Sequence, residues 1–193
     1  MELKRPLILA SHSPRRQSLL RELGVDFTIR TQSIDEIYPP DLPINEIPGY
    51  IASKKAEAFG PSTLSNMILT ADTIVTRSGK ILGKPADENE AAAMLENLSG
   101  KSHRVYTGVC LRIEDQFHLT TDCTEVFFKV LSKNEIDYYI HHFMPLDKAG
   151  AYGIQEWIGM IGIEKIKGSY FNVVGLPISK VYDLLKRLEL IRL

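Results

Sequence analysis

A single α/β domain built on a mixed central sheet is what this sequence predicts, on three observations. Short apolar runs alternate with capped amphipathic segments through the first half of the chain. Two long β-rich runs, RVYTGVCLRI (104–113) and FHLTTDCTEVFFKVL (117–131), meet at Glu114-Asp115, as an antiparallel hairpin would. The 193 residues suffice for one good-sized domain. A chain of that size buries roughly 70% of its unfolded surface without disulfide or metal staples. No linker is visible, so one domain over residues 1–193 is expected, split into two lobes by the long hairpin.

Each element has a local reason. PLILA (6–10) reads as a short buried strand. A helix follows from Pro14 to about Leu23: Ser13 suits the N-cap, Pro14 the first helical position, and Gly24 closes the segment. VDFTIR (25–30) reads as a second strand, and the prolines of TQSIDEIYPPDLPINEIP argue against regular structure. Ile47, Ile51, Ala52, Ala58 and Phe59 suggest a helix from about Pro48 to Phe59, stopped by Gly60-Pro61. ILTADTIV (68–75) is a buried strand by composition, followed by a tight turn at SGK (78–80). Asp87 with Glu90 makes a capping-box-like start to a helix whose face is Ala91, Met94, Leu95 and Leu98. Ser132 and Glu135 form another capping box, ahead of Ile136, Tyr139, Ile140 and Phe143. After a Gly-rich stretch, 157–166 reads as a strand, and a last helix opens at Pro177.

Composition excludes several classes. Lys plus Arg (23) nearly balances Asp plus Glu (24), so no general polyanion-binding surface and no nucleic-acid partner is implied. Cys110 and Cys123 lie in strand-like segments without metal spacing and read as reduced core residues. The apolar run in MELKRPLILA is too short for a signal peptide, and nothing approaches about 18 consecutive apolar residues. A soluble cytoplasmic protein with no membrane partner is expected.

Four stretches break local rules, as functional sites do. In SHSPRR, Arg15 and Arg16 sit in the first turn of a helix, where the dipole disfavours cations. An anion joining both guanidiniums to the helix N-terminus would explain them; so would two solvated arginines. Asp72 lies inside the apolar run ILTADTIV, where a carboxylate needs a partner or a metal unless it faces solvent near the strand end. Such a carboxylate could hold a divalent cation or act as a general base. Lys55, beside Lys54 on a helix, and Lys84, in LGKP, gain meaning only by converging with the arginines. DKAGAYGIQ (147–155) and GSYFNVVGLP (168–177) concentrate small residues that permit close approach to a flat ligand, or simply tight turns. Gln155 and Asn172 offer donors and acceptors suited to a base edge. No defensible Ser-His-Asp order exists, and His141-His142 has no matching metal ligands nearby.

In their order, SHSPRR, SKKAEA, ADTIV, LGKP, LSGKSHRVYTGV, DKAGAYGIQ and GSYFNVVGLP resemble the Maf family of nucleoside triphosphate pyrophosphatases, across about residues 8–180. The resemblance implies an inosine-triphosphatase-like fold with a cleft between two lobes. It implies cleavage between the α- and β-phosphates of a nucleotide with a divalent cation, Mg2+ or Mn2+. Carried over, Ser11, Arg15, Arg16, Lys55 and Lys84 would surround the triphosphate, with Lys55 and Lys84 counted as catalytic. Asp72 would be the proton acceptor that activates water and would share the metal with Glu36, whose SIDEIY loop aligns less securely.

Three positions sort substrates within the family, and here they are Arg15, Thr73 and Gln155. This combination resembles the subgroup acting on dTTP and UTP, including some modified pyrimidine nucleotides. A sister subgroup acting on 7-methyl-GTP carries a bulky aromatic, Gln and Glu there. His12 departs from the small residue usual in the family; it would either crowd the phosphates or point outward. A homodimer is a further family-level expectation. The rival readings are a house-cleaning pyrophosphatase for 7-methyl-GTP, ITP or XTP, and a nucleotide-sensing regulator of cell division.

Overall fold

The computed structural model describes residues 1–60 and 65–193, so Pro61 of the expected helix stop lies outside the described residues. In chain order the strands and helices begin with β1 (Glu2–Leu3), β2 (Leu7–Leu9), α1 (Pro14–Glu22) and β3 (Thr28–Ile29). They continue with α2 (Ile47–Glu57), β4 (Met67–Arg77), β5 (Lys80–Leu82), α3 (Glu88–Leu98), β6 (Ser102–Ile113) and β7 (Gln116–Phe128). The last are α4 (Lys133–Phe143), α5 (Trp157–Gly162), β8 (Ile163–Lys167), α6 (Tyr170–Val174), α7 (Ile178–Arg187) and β9 (Ile191–Arg192). The main sheet runs β3-β2-β4-β6-β7-β8, with β5 paired to β4. It is mixed: β2 lies parallel to β3 and β4, while β5 and β8 pair antiparallel with β4 and β7. The expected α/β class with a mixed sheet is borne out.

The chain divides into two compact units. The first comprises residues 1–72, 107–122 and 175–193; the second comprises 73–106 and 123–174. The long hairpin strands β6 and β7, like β4, contribute a stretch to each.

In the first unit, β2 is buried throughout, and α2 is pressed onto β6 by small residues. Ala52, Ala56 and Cys110 form a packed cluster. A Cβ on Gly108 would fall 2.2 Å from the Gly49 nitrogen and 2.3 Å from the Pro48 carbonyl carbon, so only glycine lets the helix backbone rest there. Thr70 Oγ1 donates to the Ala52 carbonyl at 2.6 Å. Arg112, buried in β6, closes the far end of α2 by donating to the carbonyls of Ala56, at 3.1 Å, and Phe59. A cation at a helix C-terminus satisfies orphan carbonyls and complements the dipole.

The second unit has its own core, centred on Leu95, Leu98, Val126, Ile136, Tyr139 and Ile158, with α3 packed on α4. Ser132 and Glu135 complete the expected capping box, whereas Glu90 reaches past the Asp87 cap to the Ala86 N–H at 2.7 Å. His103 is 3% exposed, with Nε2 hydrogen-bonded to Tyr152 Oη at 2.7 Å and Nδ1 without a partner among the described residues. Burial, then the nearby Arg77 charge, lowers its pKa from 6.5 to about 4. A neutral imidazole in the fold therefore contributes stability above about pH 6.5 that is lost as the pH falls toward 4. Urea unfolding at pH 7 and pH 5 should differ by about 2 kcal/mol from this group, and His103→Gln should flatten that difference. An equal pH dependence in the variant would remove His103 from the role.

Several expectations are corrected. Residues 157–162 form α5 and only 163–167 form a strand, although 157–166 reads as one strand. Residues 157–163 (WIGMIGI) carry no charged side chain, so period cannot separate helix from strand there. The backbone turns where a Cβ on Gly159 would lie 1.8 Å from the Ile154 carbonyl oxygen. The strand expected over 25–30 shortens to Thr28–Ile29, both exposed. Cys123 is exposed and only Cys110 is core, its thiol pushed up to about 12 by burial. Asn172 reads no base edge: it is fully buried, donating from Nδ2 to Val105 O and Thr124 Oγ1, both at 3.0 Å.

Candidate active site

The polar centre of the first unit assembles at the C-terminal end of β2. The chain leaves that strand at Ser11 and enters α1 through the Ser13 cap, with Pro14 in the first turn and no acidic side chain there. Ser11 is 7% exposed; its Oγ accepts from Ser13 N–H at 3.2 Å and lies 3.5 Å from Arg16 Nη1. Arg16 turns inward, Nη1 donating to Ala71 O and Nε to Gly175 O, both at 2.8 Å. Burial lowers its pKa, the nearby Asp72 charge raises it, Arg15 lowers it and Glu36 raises it. Arg16 thus grips the carbonyl of the residue immediately before Asp72.

Asp72 stands in the mostly buried strand β4, and its carboxylate finds the partner that such a place demands. Lys55 Nζ, from α2, lies 2.8 Å from Asp72 Oδ1 and 2.7 Å from Glu36 Oε1. The Lys55 and Asp72 side chains are 19% and 15% exposed, but Glu36 is 58% exposed, so the Pro-rich loop supplies the wet rim. Lys54, its neighbour on α2, instead pairs with Glu57 at the surface. Two carboxylate oxygens from separate segments thus converge on one cation position.

That donor set suits a hard divalent cation, which takes carboxylate oxygens and fills its remaining positions with water and substrate phosphates. Among the described residues no cluster of three or more His, Cys, Asp or Glu forms a self-sufficient metal cage. Asp72 and Glu36 are two carboxylates of the kind that such an ion takes as ligands.

The first unit brings together Ser11, Arg16, Glu36, Lys55 and Asp72, with Arg15 close enough to Arg16 to act on its charge. The other expected residues belong to the second unit. Thr73 follows Asp72 on β4 and is half-buried; Lys84 is exposed after β5; Gln155 is half-buried in the turn before α5. Gln155 Oε1 is buried and has no hydrogen-bond donor among the described residues. His12 is exposed, its Nε2 hydrogen-bonded with Thr31 Oγ1 at 2.6 Å.

Sequence reasoning missed two supporting groups. Arg112 holds the end of the helix that carries Lys55, and its charge inside the apolar run VCLRI is the same kind of signal that marked Asp72. Lys148 is 7% exposed and paired with Asp147 at 2.6 Å and Glu156 at 3.2 Å, a burial that a lysine in a polar motif does not announce.

Fold and site together define an α/β protein whose polar centre combines guanidiniums at a helix N-terminus with a Lys-bridged carboxylate pair, the equipment for a phosphorylated substrate. The chain belongs to the Maf family: the family described as "Maf-like protein" matches residues 6–188. It is 51% identical over 187 residues to the dTTP/UTP pyrophosphatase of Bacteroides thetaiotaomicron, covering 96% of this chain and 97% of that one. The protein of the same name from Phocaeicola vulgatus is also 51% identical over 187 residues, with 96% and 97% covered. That of Flavobacterium johnsoniae is 48% identical over 186 residues, covering 96% of each chain. Among solved structures, a HAM1 protein from Coxiella burnetii is 20% identical, with a TM-score of 0.42, and covers 64% of this chain and 73% of its own.

Proposed function

We propose that this protein hydrolyses dTTP and UTP to the nucleoside monophosphate and pyrophosphate. The observation that carries the reading is the Lys55 ammonium shared by Asp72 and Glu36, beside the half-buried Arg16. The dTTP/UTP pyrophosphatases about half identical to this chain support the choice of substrate.

Hydrolysis of the α–β anhydride adds a water oxygen to phosphorus, breaks the α–β P–O bond and releases pyrophosphate. Asp72 accepts the proton that the attacking water loses. Charge gathers on phosphoryl oxygens throughout, so catalysis rests on positioning and electrostatic stabilisation. Ser11, Arg15, Arg16 and Lys55 serve the phosphates in this reading, and Lys84 is assigned the same role by the resemblance. Asp72 and Glu36 would hold a divalent cation, Mg2+ or Mn2+, which when bound neutralises phosphate charge and orients the anhydride. Thr73 and Gln155 serve the base, with Arg15 contributing to the choice. The buried Gln155 Oε1 supplies an acceptor for the imide N–H of thymine or uracil, and its amide can donate to a neighbouring carbonyl.

No helix among the described residues is long and apolar enough to cross a membrane. We read the protein as a cytoplasmic enzyme acting on free nucleotides, without a nucleic-acid partner and as a homodimer.

A pyrophosphate-release assay across dTTP, UTP, 7-methyl-GTP and ITP tests the function. With Mg2+ or Mn2+, kcat/KM for dTTP and UTP should exceed that for the other two by at least about tenfold. Removing the metal with a chelator should abolish release, and adding it back should restore it. Preference for 7-methyl-GTP or ITP would assign a different house-cleaning role. Tight nucleotide binding with metal present and no pyrophosphate release would instead identify a nucleotide sensor.

A further inference from the structure

The turn that carries Gln155 is held by a charged network that the hydrolysis itself does not use. Tyr139 of α4 is fully buried, and its phenol makes two bonds into this turn. Its oxygen accepts from the Gly153 N–H at 3.0 Å, and its hydroxyl donates to Glu156 Oε2. Glu156 Oε1 pairs with Lys148 Nζ at 3.2 Å, and Lys148 also holds Asp147 Oδ1 at 2.6 Å. The Glu156 N–H donates to the Gly153 carbonyl at 3.0 Å and closes the turn. One phenol therefore grips the chain two residues before Gln155 and, through a carboxylate, one residue after it.

Packing removes the remaining freedom. A Cβ on Gly153 would lie 2.7 Å from Glu156 Cδ and 2.9 Å from Gln155 Nε2, so the glutamine side chain lies over bare backbone. The Lys148 and Glu156 side chains are only 9% and 20% exposed. Desolvating such a pair is costly, and replacing buried ion pairs with apolar residues of similar volume is often neutral or stabilising. What the pair and its phenol supply instead is a single geometry, because the Tyr139 hydroxyl, both Glu156 oxygens and the Lys148 ammonium each have a defined partner.

We propose that Tyr139, Glu156 and Lys148 form a positioning network that holds Gln155 for discrimination of the uracil or thymine imide edge from other bases. The proposal rests on the reading of Gln155 as the base-recognising residue. None of the three network side chains needs to touch the nucleotide; they act through the turn.

UTP and CTP differ at that edge, so their relative kcat/KM is the readout. Tyr139→Phe should raise KM for UTP about tenfold, change kcat less, and cut the UTP-over-CTP preference at least about fivefold. Glu156→Leu should do the same, whereas Glu156→Gln, which still accepts from the phenol, should keep most of the preference. Combining Tyr139→Phe with Glu156→Leu should cost no more than the worse single change, as for members of one network. Equal losses on UTP and CTP, or an unchanged preference in both Tyr139→Phe and Glu156→Leu, would overturn the proposal. Should Tyr139→Phe fail to fold, the contrast between Glu156→Leu and Glu156→Gln decides between the same two outcomes. Gln155→Leu separates the two levels. If it leaves the preference intact, Gln155 does not read the base and the network proposal falls with it. If it abolishes the preference while the network variants retain it, the network alone is wrong.

Discussion

Asp72→Asn should lower turnover on dTTP and UTP by at least about a hundredfold, close to 3 kcal/mol of transition-state stabilisation, while nucleotide binding stays largely intact. The amide keeps the size of the carboxylate and an oxygen within reach of Lys55 Nζ, which lies 2.8 Å from Asp72 Oδ1, so the local packing survives. What disappears is the proton acceptor and half of the paired negative charge that faces the ammonium. Glu36 remains at 2.7 Å from Lys55 and keeps that cation compensated, so the variant should fold. Steady-state kinetics combined with direct nucleotide binding distinguishes the outcomes. Near-normal turnover would remove Asp72 from the role of base, and lost binding with retained turnover per bound nucleotide would make it a binding residue.

The second large effect is expected far from any phosphate. Gly108→Ala places a methyl group 2.2 Å from the Gly49 nitrogen and 2.5 Å from its Cα, and these backbone atoms cannot rotate aside. Helix α2 must lift from β6, at a cost of about 3 kcal/mol by the usual scale of overpacking. For a chain of this length that corresponds to a drop of about 10 °C in Tm. Because α2 carries Lys55, turnover of the folded variant should fall as well. Gly83→Ala is the control for Tm: a Cβ there would have no neighbour within 4 Å, so the midpoint should hardly move. Equal midpoints for the two variants would show that α2 has slack that the packing does not suggest.

Much of the candidate site was legible because its residues contradict their neighbours. A carboxylate inside ILTADTIV demands a partner, and two arginines in a first turn with no acid ask for an anion. The helix starts were legible for the opposite reason, since capping chemistry is local: Ser13, Asp87 and Ser132 all cap as their spacing indicates. Lys55 was different. Nothing on α2 distinguishes it from Lys54 except the face it occupies, and the assignment came from resemblance. Asn172 misled because a buried amide and a base-reading amide have the same composition, and only Val105 O and Thr124 Oγ1 tell them apart. The α5 segment misled because an all-apolar run has no period.

By itself, then, the sequence determined the α/β class, the capped helices, the strand-rich hairpin, the family, and the presence of one carboxylate and two guanidiniums that local structure leaves uncompensated. Only the tertiary structure decided how those charges are compensated. Lys55 meets Asp72 across 17 residues of chain, Arg112 caps α2 across 56, and Arg16 reaches Gly175 across 159. Caps and alternation depend on neighbours a few residues away and are written in the order of amino acids. The desolvation of a charge depends on whatever the fold packs against it, and no local pattern encodes that.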